Sequence, residues 1–262
     1  MSGEPNQHAG AVSSWTTAGT DGWPEALLRS EHGVAPGTPE DRTESETLRE
    51  GSVNPVQASH WQEVLWQFLR QLARRDPELR SHSERVCGVS LRIGRALGLS
   101  GERLFILFAA ALLHDIGKLL IPAGILDKPG KLTLSEFRRV RDHAIHGEQM
   151  LKAASLPFSV CRSVRGHHER YDGKGYPDRL EGEEIPLEAR ILGVADAYDA
   201  MTADRPYHAG MGGRAACQRI SRLAGVHFDP RVVESFLPLP AGGMDSSSPP
   251  EDRRSGLAAQ SA

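Results

Sequence analysis

Eleven histidines in 262 residues are the unusual count in this chain, and several fall where an apolar period also runs. His82 stands four residues before Val86. His114 and Asp115 end the run Leu104–Leu113. His143 is three residues after Val140, His167 and His168 follow Val164 by three and four, and Asp196 is four after Leu192. Side chains three or four apart share one face of a helix, so five imidazoles and two carboxylates are expected at the inner faces or ends of five helices. Glu78, one turn before His82, can join them. Burying so many ionisable groups is costly unless each is paired. A divalent metal resolves the difficulty, because neutral imidazole and ionised carboxylate are its ligands and its charge offsets theirs. A lone histidine is usually an ordinary core or surface residue; the coincidence of all these positions argues against that. His8, His32, His60, His146 and His227 lack this context and read as structural or terminal.

The donor set also speaks about the metal. Cys87, Cys161 and Cys217 are far apart and form no CxxC, which excludes a cysteine-based zinc site and a disulfide framework and fits a reducing compartment. Up to eight His, Asp and Glu ligands point to two or three divalent ions of higher coordination, with iron or manganese the best match to nitrogen and oxygen donors and zinc, cobalt or nickel able to occupy the same positions in vitro. Closely spaced ions are suited to hydrolysing phosphate esters, since they lower the pKa of a shared water and neutralise phosphate oxygens.

The elements that must position these residues read as an all-α domain over 59–237. Trp61, Leu65, Phe68 and Leu72 form an amphipathic stripe that Asp76-Pro77 interrupts. Val86, Val89, Ile93 and Leu97 continue the period to Gly98. Residues 102–116 are apolar on nearly every side and so predict a central, buried helix. Thr133-Leu-Ser-Glu136 is a capping box that opens a helix carrying Phe137, Val140, Ala144, Gly147 and Leu151. Val160 and Val164 lie on a helix ending near His168. Residues 171–185 read as a loop, Pro186 opens a helix to about Ala203, and Asp229-Pro230 starts a last short one. No strand alternation is visible.

Residues 1–58 carry nine acidic against three basic residues with no apolar period, which predicts a disordered or weakly ordered segment. Residues 238–262 take 12 of 25 from Gly, Pro and Ser and predict a flexible tail. The formal charge of −3 argues against a nucleic-acid polymer or anionic membrane as main partner. The mildly positive middle suits a small anionic substrate. The longest apolar run is too short to span a bilayer, and the N-terminus has no basic start followed by an apolar stretch. A cytoplasmic protein is expected.

His82, the pair His114-Asp115 and Asp196 resemble the H…HD…D signature of the HD metal-dependent phosphohydrolases. HDIGK (114–118), HHERYDGKGYP (167–177) and VADAYDAMTADRPY (194–207) are similar to the HD-GYP subfamily over about residues 76–237. The resemblance implies an HD-type helical domain with a GYP loop, a di- or trinuclear metal centre, and hydrolysis of cyclic di-GMP to linear pGpG or on to GMP. Carried over position by position, it implies that His82, His114, Asp115, His143, His167, His168 and Asp196 are metal ligands, with Asp115 bridging, and that Glu78 serves a third ion. Lys118 would reach a phosphate oxygen or protonate the leaving alkoxide. Gly173, Gly175, Tyr176 and Pro177 would shape the lip of the site, with Tyr176 stacking on or hydrogen-bonding the nucleotide. Arg205 would hold a phosphate or guanine edge.

Two positions depart from the pattern. His208 stands where a substrate-contacting lysine is expected, so that one phosphate contact becomes weaker or pH-dependent. Ala144 replaces the usual proline after His143. The altered stretch 208–213 leaves room for another cyclic dinucleotide or a nucleotide as substrate. A binding module that docks on GGDEF-domain proteins without turnover is the contrasting reading, and the intact ligand set weighs against it.

Overall fold

Leu104–Leu113 is buried without interruption in a computed structural model of the chain, which describes residues 55–204 and 209–239, with side chains from Ser59 onward. The elements in order are α1 (Pro55–Arg75), α2 (Pro77–Ala96), α3 (Gly101–Leu113), a 3-10 turn (Ile116–Leu120), α4 (Ala123–Leu126), α5 (Leu134–Arg141), α6 (His143–Ala153), α7 (Phe158–Gly166), a 3-10 turn (Gly182–Glu184), α8 (Leu187–Thr202), α9 (Gly213–Arg222) and α10 (Pro230–Phe236). Among the described residues there are two isolated bridges, Asp172 with Glu181 and Ala224 with Phe228, and no strand. The fold is all-α. The expected disordered ends fall mostly outside the described residues.

A helix without a polar face has to be surrounded, and α3 is: α1, α2, α7 and α8 all pack against it. The stripe on α1 buries Leu65 and Leu72 completely and stacks Trp61 on Phe105 of α3 at 5.7 Å. Asp76 both ends the first stripe and caps α2, its carboxylate accepting from the Glu78 N–H at 2.9 Å, while Pro77 takes the first helical position, where its missing N–H is not needed. Gly98 closes α2 at φ +80°.

Two expectations need correction. The helix opened by the Thr133 capping box is two helices, broken at Asp142. At the break the Val140 carbonyl accepts from the His143 ring. Only α6 carries a core face, with His143, Ala144, Gly147 and Leu151 buried, whereas α5 buries nothing and leaves Phe137 50% exposed. The second is α9, for which no element was expected. Its buried residues are only Ala216 and Ile220, one turn apart, too thin a stripe to stand out.

Candidate metal centre

Three of the histidines are hung from helix ends by the same device. His114 follows α3, His143 follows the break after α5, and His167 follows α7. The last carbonyls of a helix have no partner in the helix itself. In each case the ring Nδ1 donates to the carbonyl three residues back: Ala111 at 2.8 Å, Val140 at 2.6 Å and Val164 at 2.5 Å. A carbonyl only accepts, so Nδ1 carries the proton and Nε2 keeps its lone pair. His168 is held by packing, its ring 4.0 Å from that of His167 and 4.8 Å from that of Tyr176.

The Nε2 atoms converge. His82 and His114 approach to 3.2 Å, and His143 and His167 to 3.3 Å. Two sets of three, His82–His114–Asp115 and His143–His167–His168, each bring ligand atoms within 4.8 Å of one another. Asp115 stands between them: Oδ2 faces His82 and His114 at 3.7 and 3.5 Å, and Oδ1 faces His143 at 3.5 Å. Asp196 joins the first set, its Oδ1 3.2 Å from His82 Nε2. Seven of the eight expected ligands are therefore brought together. Imidazole nitrogens with their other nitrogen tied down, beside buried carboxylates, fit a divalent cation in donor type and in charge.

Glu78 is the exception. It is mostly exposed and its carboxylate pairs with Arg85 at 2.8 Å. Both residues lie on the same side of α2, and the nearer strong cation takes the carboxylate. Arg85 in turn makes bonds of 2.7 and 3.1 Å to Asp199, and Asp199 accepts the His82 Nδ1–H at 2.7 Å. Asp199 is thus to His82 what the carbonyls are to the other rings. Asp199 is not among the expected site residues, although its place one turn after Asp196 on α8 was the available signal.

Electrostatics divides the two sets. Burial pushes the His143 and His167 imidazoles down, and His168 down to about 4. At His82 burial again opposes the charge, but Asp196 and Asp199 outweigh it and raise the ring to about 9. Against their own burial, Asp196 is held down at about 2 by the His82 contact, Asp199 lower than usual by His82 and Arg85, and Asp115 well below the carboxylate range by Lys118 and the surrounding rings.

Lys118 Nζ is 2.5 Å from Asp115 Oδ2, at the edge of the cluster. Gly117 before it allows the 3-10 turn to lie on α6: a Cβ there would come within 2.0 Å of the His143 carbonyl oxygen. The loop with Tyr176 is strapped to the end of α7. Gly175 passes so close that a Cβ would sit 2.3 Å from the Arg170 nitrogen. Glu169 Oε1 accepts from the Asp178 and Arg179 N–H groups at 2.7 and 3.0 Å, and Arg165 grips the Asp178 carboxylate with two bonds of 2.6 Å. The Tyr176 ring contacts both His168 and Arg141, whose Cζ lies 4.1 Å from its centroid. Arg205 and His208 lie outside the described residues. No helix among the described residues is long and apolar enough to cross a membrane.

The comparison with known proteins agrees with this arrangement. A family described as HD domain matches residues 67–232. The cyclic di-GMP phosphodiesterase response regulator RpfG of Xanthomonas campestris pv. campestris is 40% identical over 188 residues, 71% of this chain and 50% of that protein. The 3'3'-cGAMP-specific phosphodiesterase 3 of Vibrio cholerae is 41% identical over 157 residues, 60% of this chain and 34% of that protein. The chain thus spans half or less of the length of these relatives. Among solved structures, Bd1817, an HDG"Y"P protein from Bdellovibrio bacteriovorus, is similar in fold at a TM-score of 0.53 and 20% identity, over 63% of this chain and 53% of that one. With its H…HD…D donors gathered on an all-helical frame and the GYP loop strapped beside them, the chain belongs to the HD domain family, in its HD-GYP branch.

Proposed function

We propose that this chain is a phosphodiesterase that hydrolyses cyclic di-GMP to linear pGpG or on to GMP. The observation that carries the reading is Asp115, whose two oxygens each face a different set of histidines. Two divalent ions, iron or manganese, would be held by His82, His114, Asp115 and Asp196 on one side and by Asp115, His143, His167 and His168 on the other. Glu78, turned to Arg85, leaves a third ion without its expected ligand. When bound, the ions supply a water of lowered pKa and charge neutralisation at the phosphate.

The chain's own residues do the rest. Neutral imidazoles offer lone pairs without first losing a proton. Lys118, beside Asp115, reaches a non-bridging phosphate oxygen or donates a proton to the leaving alkoxide. Burial pushes the Tyr176 phenol up, so it remains a hydrogen-bond donor for the nucleotide. Its ring is already in contact with His168 and Arg141, which favours the hydrogen-bonding role over stacking. Arg205 would hold a phosphate or guanine edge. The seven gathered donors speak against a module that only binds the dinucleotide and docks on GGDEF-domain proteins. Cys87, Cys161 and Cys217 form no disulfide, which suits a cytoplasmic setting.

Protein reconstituted with manganese or iron without oxygen is expected to linearise cyclic di-GMP, followed by chromatography of the products. An uncut substrate at full metal occupancy overturns the proposal. A second substrate is favoured by the likeness to the cGAMP-specific relative, so 3'3'-cGAMP belongs in the same assay, with relative kcat/KM deciding between them.

A further inference from the structure

The last turn of α5 carries Arg138, Arg139 and Arg141, none with a carboxylate partner among the described residues. Other arginines around the site are committed: Arg85 to Glu78 and Asp199, Arg165 to Glu148 and Asp178, Arg170 to Asp172. Arg141 alone of the α5 group lies over an aromatic ring of the site, 4.1 Å from the Tyr176 centroid, and Tyr176 in turn stacks at 4.8 Å on His168. Its guanidinium is thus linked to the candidate metal centre through a single ring. A guanidinium held over an aromatic face still has N–H groups to offer an anion in a two-point contact. Tyr176 is itself fixed by the loop straps, so the cation is held in place without an acid to neutralise it.

A cyclic dinucleotide has two phosphodiesters, and the one being cleaved occupies the metal centre. The other still brings a negative charge to the protein. We propose that Arg141 binds this second phosphodiester, making it a specificity-determining residue that distinguishes a cyclic dinucleotide from a simple diester. The inference rests on the proposed function and deepens it. Charge-assisted pairing through two N–H groups gives strength as well as orientation. Tyr176 acts here as the platform for Arg141.

The test compares cyclic di-GMP with bis(p-nitrophenyl) phosphate, which has one phosphodiester, on the metal-loaded full chain. Arg141→Ala is expected to raise KM for cyclic di-GMP by about 10- to 100-fold, as expected for a lost hydrogen bond to a charged group. Metal content, kcat and the rate on the simple diester should stay unchanged. Arg141→Lys, which keeps the charge and loses the fork, should fall between. An unchanged KM in Arg141→Ala overturns the assignment, and so does an equal loss on both substrates. Those outcomes leave the proposed function standing. If the unsubstituted protein cleaves only the simple diester, the proposed function itself falls, and this inference with it.

Discussion

Among the described residues, His143, His167 and His168 have one carboxylate oxygen between them at close range, Asp115 Oδ1 at 3.5 Å from His143, while His82 alone has three carboxylates within 3.7 Å. The rings are of one type and all are largely buried, yet they end in opposite charge states. Where carboxylates are scarce, burial prevails and the imidazoles are neutral. Where they crowd, they outweigh burial and His82 is raised to about 9. The first side can take up a cation without losing a proton. The second must release the His82 proton, and then offers the ion more negative charge.

The contrast breaks first at the residue common to both sides. Asp115→Ala should empty both, with activity falling more than about 100-fold, and elemental analysis of purified protein reads the metal content. One ion retained at full occupancy would mean that the sides are independent. A smaller effect isolates the carboxylate-rich side. Asp199→Asn should weaken one step of a metal titration by about 10- to 100-fold, the range for loss of a partner that orients a ligand. Weakening of both steps alike would show that the sides act as one.

On the three-histidine side, Glu169→Ala should leave the metal count intact but free two N–H groups of the loop. That costs about 1–3 kcal/mol, visible as a lower melting temperature, and a lost metal would tie the strap to the ligands. The mildest expected change comes with pH. Arg165 holds the Asp178 carboxyl below its usual range. This bond contributes fully above the ordinary carboxylate pKa and is lost as pH falls through the depressed value. Fluorescence from the loop should therefore change only below about pH 4, and Asp178→Asn should abolish that transition.

The donors were legible because helix period and apolar runs place them together, as with His143 three after Val140 and Asp196 four after Leu192. What escaped depends on competition between partners. Glu78 lies one turn from His82 and reads as a ligand, but Arg85 claims it. Thr133 to Leu151 has an unbroken helical period, yet the His143 ring meets the Val140 carbonyl and the helix divides. Glu169 holds a loop nine and ten residues away, a link that no local pattern encodes. Asp199 was within reach of the same one-turn reasoning that found Asp196.

The bonds from His114, His143 and His167 to Ala111, Val140 and Val164 have a consequence for how this centre can drift over generations. Their acceptors belong to the main chain, so no replacement of a neighbouring amino acid deletes them, and the aim of those rings is inherited with the helices themselves. His82 depends on the carboxylate of Asp199, which a single codon change can remove. Variation between descendants should therefore accumulate at Asp199 and its surroundings sooner than at the three rings fixed to their own backbone.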